Sequence, residues 1–167
     1  MPSDRLRSLP ILGSRVGEIE EICAKYPDRR SAMLPVLWIA QNQEGWISED
    51  TMKEVAEIIG VTAAEVYEVV SFYTMFHQHP VGRHHIALCK TLSCAITGAH
   101  EVSAYIREKY GFDSGKNISR DGKFSIEEVE CIGACTEAPA MLVGETLHGD
   151  LTPARIDEVL GSLDKIT

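Results

Sequence analysis

Four of the five cysteines fall in two close pairs, Cys89 with Cys94 in "CKTLSC" and Cys131 with Cys135 in "CIGAC". Four residues separate the first pair, three the second, and 36 lie between the pairs. Thiolate sulfur is a soft donor, and four thiolates brought together suit either tetrahedral zinc or an iron-sulfur centre. Both gaps exceed the two-residue knuckle usual for structural zinc, whereas a 2Fe-2S centre is wider and gives each iron two cysteines. Spacing therefore favours the cluster and leaves zinc open. A thioredoxin-type dithiol needs a two-residue gap, and a Rieske centre needs two histidines that neither loop contains. Four thiols buried merely as small hydrophobes would not need to come in two tight pairs.

The residues around the cysteines fit a cluster. Gly133 and Ala134 let the backbone approach a sulfide and aim N–H groups at sulfur. Ser93 has two readings, a hydroxyl donor to one thiolate or a cap on the helix that follows. Glu127, Glu128, Glu130 and Glu137 crowd the second loop against Lys90 in the first, a balance that lowers a reduction potential or simply marks a solvated strand end. His77, His79, His84 and His85 cluster without a carboxylate-histidine motif and read as junction or surface residues. There is no glycine-rich phosphate loop and no nucleophile elbow, so no catalytic residue is assigned.

Each cysteine pair comes directly after a strand-like segment, "IALC" at 86–89 and "FSIEEVEC" at 124–131, so two loops at one end of a small sheet would bring the four thiols together. The alternation of Phe124 and Ile126 slips before Val129, which predicts a bulge or a bend just ahead of Cys131. Between the pairs, "HEVSAYIREKYG" predicts an amphipathic helix ending at Gly111. "AMLVGETLHG" supplies further short strand. "TPARIDEVLGSL" predicts a closing helix, capped by Thr152, with Pro153 at its first position. Strand, helix, strands and helix make an α/β layer.

Upstream the pattern differs. Val16, Ile19, Ile22 and Cys23 share helical spacing, so Cys23 belongs to a core. "SAMLPVLWIAQNQEGW" predicts a largely buried helix stopped by Gly45, with Pro35 near its start. Ser48 caps the next helix and Gly60 ends it; Thr62 to Glu65 is a capping box. Phe72, Tyr73 and Phe76 read as a core stripe, with a partner interface as the alternative. Pro80 and Gly82 break the helical period. The predicted organisation is therefore an N-terminal helical bundle over 1–80 and a cysteine-bearing α/β domain over 81–167.

The 167 residues carry a net charge of -9, with 7 Lys/Arg against 12 Asp/Glu in residues 1–80 and 9 against 13 thereafter. Neither half offers the basic surface that nucleic-acid binding draws on. The start lacks the apolar run of a secretory signal, which points to the cytoplasm and a reducing environment. The longest apolar run, 32–40, is about half a membrane span, so membrane association would come through a partner.

The two cysteine pairs, together with "RRSAMLPVLWIAQNQEGWIS", "GVTAAEVYEVVSFYTMF", "PVGRHHIALC", "DGKFSIEEVECIGAC" and "GDLTP" in that order, resemble the thioredoxin-like 2Fe-2S ferredoxin family. Within that family the likeness is to the small iron-sulfur subunits of NADH:quinone oxidoreductase, respiratory complex I. The resemblance implies an α+β chain: a helical N-terminal domain followed by a thioredoxin-like domain. One 2Fe-2S cluster would be held by Cys89, Cys94, Cys131 and Cys135. It also implies a neighbouring flavoprotein subunit that binds FMN and NADH, further iron-sulfur subunits, and a place in the peripheral arm of a membrane-bound complex at its cytoplasmic face. This chain would then carry electrons without an active site of its own. Similar subunits serve NAD-dependent hydrogenases and formate dehydrogenases, and a zinc-stapled interaction domain is the alternative from another class. Thr136-Glu137 and "AMLVGETLHGD" depart from the family's usual residues.

Overall fold

Short-range capping chemistry punctuates the first half of the chain. A computed structural model describes residues 4–164, and these fall into two units with the boundary between Pro80 and Val81. In the first unit the helices are α1 (Asp4–Arg7), α2 (Val16–Cys23), α3 (Met33–Glu44), α4 (Glu49–Ile59) and α5 (Ala63–Phe72), with 3-10 turns at Gly13–Arg15 and Arg29–Ala32. Ser48 Oγ accepts the Thr51 N–H at 3.0 Å. Thr62 and Glu65 exchange both bonds of a capping box. Pro35 is the third residue of α3, where its missing N–H would have no partner within the helix. Gly60 ends α4 at φ 86°, a left-handed stop that side chains resist.

These helices enclose one apolar core. Val16, Ile19 and Cys23 of α2 meet Val36, Leu37 and Ala40 of α3, Val55 and Ile59 of α4, and Val66 and Val70 of α5. The aromatic stripe divides. Phe76 is buried and lies 5.5 Å from the Trp38 ring, and Tyr73 is partly buried. Phe72, read from sequence as core, is 76% exposed. It stands two residues beyond Val70, roughly 200° around the helix from the buried face.

The second unit contains strands β1 (His84–Cys89), β2 (Phe124–Val129), β3 (Met141–Val143) and β4 (Thr146–His148) in the sheet order β2-β1-β3-β4. Strands β1 and β2 are parallel; the other two pairings are antiparallel. The crossover between β1 and β2 runs through α6 (Leu92–Ile96) and α7 (Ala99–Lys109), and α8 (Pro153–Asp164) follows β4. Ile86 and Leu88, Phe124 and Ile126, and Met141 and Val143 from the sheet pack with Val102 and Ile106 of α7 and Ile156 and Leu160 of α8. Thr152 Oγ1 accepts the Arg155 N–H at 3.2 Å.

No bulge interrupts β2, which pairs with β1 residue for residue from His84 with Phe124 to Cys89 with Val129. The chain bends instead at Glu130. The slipped alternation has another source: polar Ser125 is buried against His85 Nδ1 at 2.9 Å, while Glu127 and Glu128 are both exposed as the strand leaves the core. Among the described residues, no helix is long and apolar enough to cross a membrane.

One buried charge ties the start of the first unit to α4. The Glu54 carboxylate is 7% exposed and accepts the backbone N–H groups of Ile11 at 3.0 Å and Leu12 at 2.7 Å. Leu12 is buried, so its N–H is left without a partner if the carboxylate is removed. Glu54→Ala is expected to cost about 2 kcal/mol of stability, the penalty for a stranded buried donor. A far-ultraviolet circular dichroism melt would read it as a lowered transition.

Candidate metal centre

The parallel register fixes where the thiols stand. Cys89 is the last residue of β1, opposite Val129, and Cys131 follows β2 by two residues. Both loops therefore leave the sheet at the carboxyl ends of neighbouring strands. The Cys89 N–H donates to Ala140 O at 3.1 Å and the Lys90 N–H to Val129 O at 3.0 Å, which pins the end of β1 from both sides. Cys94 lies on α6, and Cys135 opens a 3-10 turn to Glu137.

The two pairs differ in exposure. Cys89 and Cys94 are each 2% exposed, whereas Cys131 and Cys135 face solvent. A small apolar cluster joins the loops: Cys89, Cys94, Ala99, Ala134 and Ala140, with Ile132 and Ala138 against it. Ala134 and Ile132 come from within "CIGAC", so the second loop is packed onto the first pair.

Several donors are aimed at sulfur. Thr91 Oγ1 lies 3.2 Å from Cys89 Sγ, and the Gly133 N–H donates to Cys131 Sγ at 3.4 Å. Gly133 has φ 81°, and a Cβ there would meet nothing within 4 Å, so this glycine serves conformation rather than close packing. Burial works to raise the Cys89 thiol, but the Thr91 hydroxyl and N–H, the Cys94 thiol and the Ile132 N–H outweigh it and hold Cys89 below the ordinary cysteine value. Cys94 is pushed up by burial and by its neighbour Cys89.

The acidic loop is less unbalanced than its sequence implies. Glu130 pairs with Lys90 at 3.4 Å, Glu127 lies 3.7 Å from His85 Nε2, and Glu128 accepts the Ser103 hydroxyl at 3.0 Å. Of the two roles considered for Ser93, neither is seen as such: Ser93 lies inside α6, where its carbonyl accepts the Thr97 hydroxyl at 2.8 Å. The hydroxyl that reaches a cysteine belongs to Thr91. Sequence reasoning passed over Thr91 because a threonine before a helix ordinarily caps it.

The sulfurs suit a soft metal centre wider than one ion. Cys131 and Cys135 Sγ are 4.0 Å apart, close to the roughly 3.8 Å between two thiolates on a tetrahedral metal with bonds of about 2.3 Å. Among the described residues, no third thiol joins that pair with all sulfurs mutually within 4.8 Å. The thiols are thus gathered as pairs, the arrangement a two-iron centre uses.

Two cysteine loops at one end of a mixed sheet, backed by helices, define a small iron-sulfur carrier domain. The chain belongs to the thioredoxin-like [2Fe-2S] ferredoxin family, whose model matches residues 19–164. Its cofactor is accordingly one 2Fe-2S cluster, and the zinc alternative is set aside. The chain is 44% identical over 145 residues to an NADH-quinone oxidoreductase subunit of Rhizobium meliloti, spanning 87% of this chain and 86% of that protein. It is 39% identical over 148 residues to NADH-quinone oxidoreductase subunit 2 of Thermus thermophilus, spanning 87% and 81%. The fold also matches a chain of the NAD+-reducing [NiFe]-hydrogenase in its H2-reduced state with a TM-score of 0.69 at 20% identity, covering 81% of this chain and 22% of that one. That last likeness concerns the fold alone.

A distant segment holds the turn after Cys135. The Asp150 N–H donates to Glu137 O at 2.7 Å and the Leu151 N–H to Pro139 O at 3.1 Å. A Cβ at Gly149 would collide with the Glu137 Cβ and come within 2.9 Å of its carbonyl oxygen. Gly149→Ala is expected to cost about 1–3 kcal/mol by overpacking and to loosen the Cys135 turn. The check is a lower melting temperature together with faster bleaching of the cluster's visible absorbance in air.

Proposed function

We propose that this chain is the electron-transfer subunit of an NADH:quinone oxidoreductase, with Cys89, Cys94, Cys131 and Cys135 holding its single 2Fe-2S cluster. The observation that carries this reading is the placement of two cysteine loops at the carboxyl ends of adjacent parallel strands, in a chain 44% and 39% identical to subunits of that enzyme. When bound, such a cluster exchanges single electrons, whereas NADH delivers a hydride that a flavin must first divide.

The residues divide the work. Cys89 and Cys94 supply the buried side of the site and keep water from it; Cys131 and Cys135 supply the side that a redox partner can approach. Leu92 and Ile96, 76% and 77% exposed on the helix that carries Cys94, offer apolar area to a partner that binds FMN and NADH. Residues 1–80 form an N-terminal helical bundle and residues 81–167 the cluster domain. The assembled complex places this chain, with further iron-sulfur subunits, in a peripheral arm at the cytoplasmic face of a membrane. A diaphorase role in a hydrogenase or formate dehydrogenase ranks second, because the two relatives of high identity both carry the quinone-reductase name.

Anaerobically purified protein is expected to contain iron and sulfide in equal amounts and to give, after dithionite reduction, the electron paramagnetic resonance signal of one unpaired electron. Cys131→Ser should lose or strongly alter that signal, and Cys23→Ser, a change in the helical core, should keep it. A protein with one zinc and no iron, or a Cys131→Ser variant with an unaltered cluster, would sink the assignment. Co-purification with quinone-binding membrane subunits, rather than with a hydrogenase, decides the parent complex.

A further inference from the structure

Thr91 occupies the residue before α6 with an extended backbone, φ -76° and ψ 172°, where a threonine hydroxyl ordinarily accepts an N–H from the first helical turn. Thr62 and Thr152 do so at their own helices. Thr91 makes no such bond. Its Oγ1 is turned instead to Cys89 Sγ, 3.2 Å away, and Cys89 is 2% exposed. A thiolate bound to a metal has no proton to give, so in the loaded protein the hydroxyl can only be the donor.

We propose that Thr91 is a positioning residue for the cluster: its hydroxyl gives up the helix cap to donate to Cys89 Sγ, and so raises the reduction potential. This rests on Cys89 being a ligand. Reduction adds one electron and no proton, so negative charge on the sulfurs grows. A donor aimed at one of them is then worth more in the reduced state than in the oxidised state. Little water reaches Cys89 to screen the effect. Lys90 next door carries a full charge, but it is exposed and engaged with Glu130, so its influence on the sulfurs is screened by solvent.

The test compares wild type, Thr91→Val, which keeps the shape without the hydroxyl, and Thr91→Ser, which keeps the hydroxyl, by redox titration followed through the reduced cluster's paramagnetic signal. At a fixed poise the reduced-to-oxidised ratio of Thr91→Val is expected to fall about tenfold, a midpoint lowered by about 59 mV for one electron, while Thr91→Ser stays near wild type. Electron-nuclear double resonance in H2O and D2O should show an exchangeable proton coupling that Thr91→Val lacks. If Thr91→Val does not load, Thr91→Ala takes its place in the same comparison. A loaded variant without the hydroxyl that titrates like wild type, or a coupling pattern that does not change, overturns the role of Thr91. Failure of the underlying ligand assignment reads differently: a Cys89→Ser variant would then keep the wild-type cluster spectrum whatever Thr91 does.

Discussion

The parallel pairing of β1 with β2 is the constraint on which the site depends. Six residues on each strand match in register, ending at Cys89 opposite Val129. Because the strands run the same way, the loops after them emerge at the same edge. An antiparallel pairing would have put the two cysteine loops at opposite ends. The register is itself secured by packing, since Ile86 and Leu88 on one strand and Phe124 and Ile126 on the other feed one core with α7 and α8. A slip of one residue would turn that apolar face to solvent.

Upon this frame the protein builds an asymmetric centre. The first pair of thiols is buried among alanines and met by donors; the second is exposed at the end of an acidic strand. Part of the acidity is answered locally, by the Ser103 hydroxyl on Glu128 and by Lys90 beside Glu130. The site's electrostatics therefore come from individual short contacts more than from a tally of charges. Polar hydrogen bonds in a shielded pocket count for more than the same groups in water, which is why the proposed tuning role falls to the hydroxyl next to Cys89 and not to the exposed ion pair of Lys90 with Glu130.

What the sequence made legible was the local grammar. The caps at Ser48, Thr62 and Thr152 and the stop at Gly60 all rest on contacts within four residues, so their signatures are readable without the fold. The two cysteine pairs were legible for the same reason. The misreadings lie where tertiary context decides. Phe72 has the same apolar character as Phe76, but Phe72 closes α5 on its outer face, whereas Phe76 lies beyond the helix, where the chain turns back onto Trp38. The slipped alternation in β2 allowed a bulge or a bend ahead of Cys131, and only the strand register, unbroken through Val129, decides for the bend at Glu130. Gly149 was invisible because its partner, Glu137, matters only once the fold brings the two segments together, and Thr91, although only two residues from Cys89, was hidden by the capping role a threonine before a helix ordinarily takes.

The crossover between the strands carries one more consequence, for how such proteins are recognised and how they change over time. Cys94 and Cys131 are separated by α7, a connection and the whole of β2, yet the number of residues in the connection does not by itself set the distance between the sulfurs. Each cysteine is positioned by its offset from the end of β1 or β2. Within the connection, Phe112 packs in the core and Asn117 to Ser119 pair with β2, which leaves the exposed turn at 113–116 as the place where added residues disturb the sheet least, whereas one residue added between Val129 and Cys131 would move a thiol. A search pattern written with a fixed gap between the pairs would therefore discard true relatives, and one anchored on strand ends would keep them.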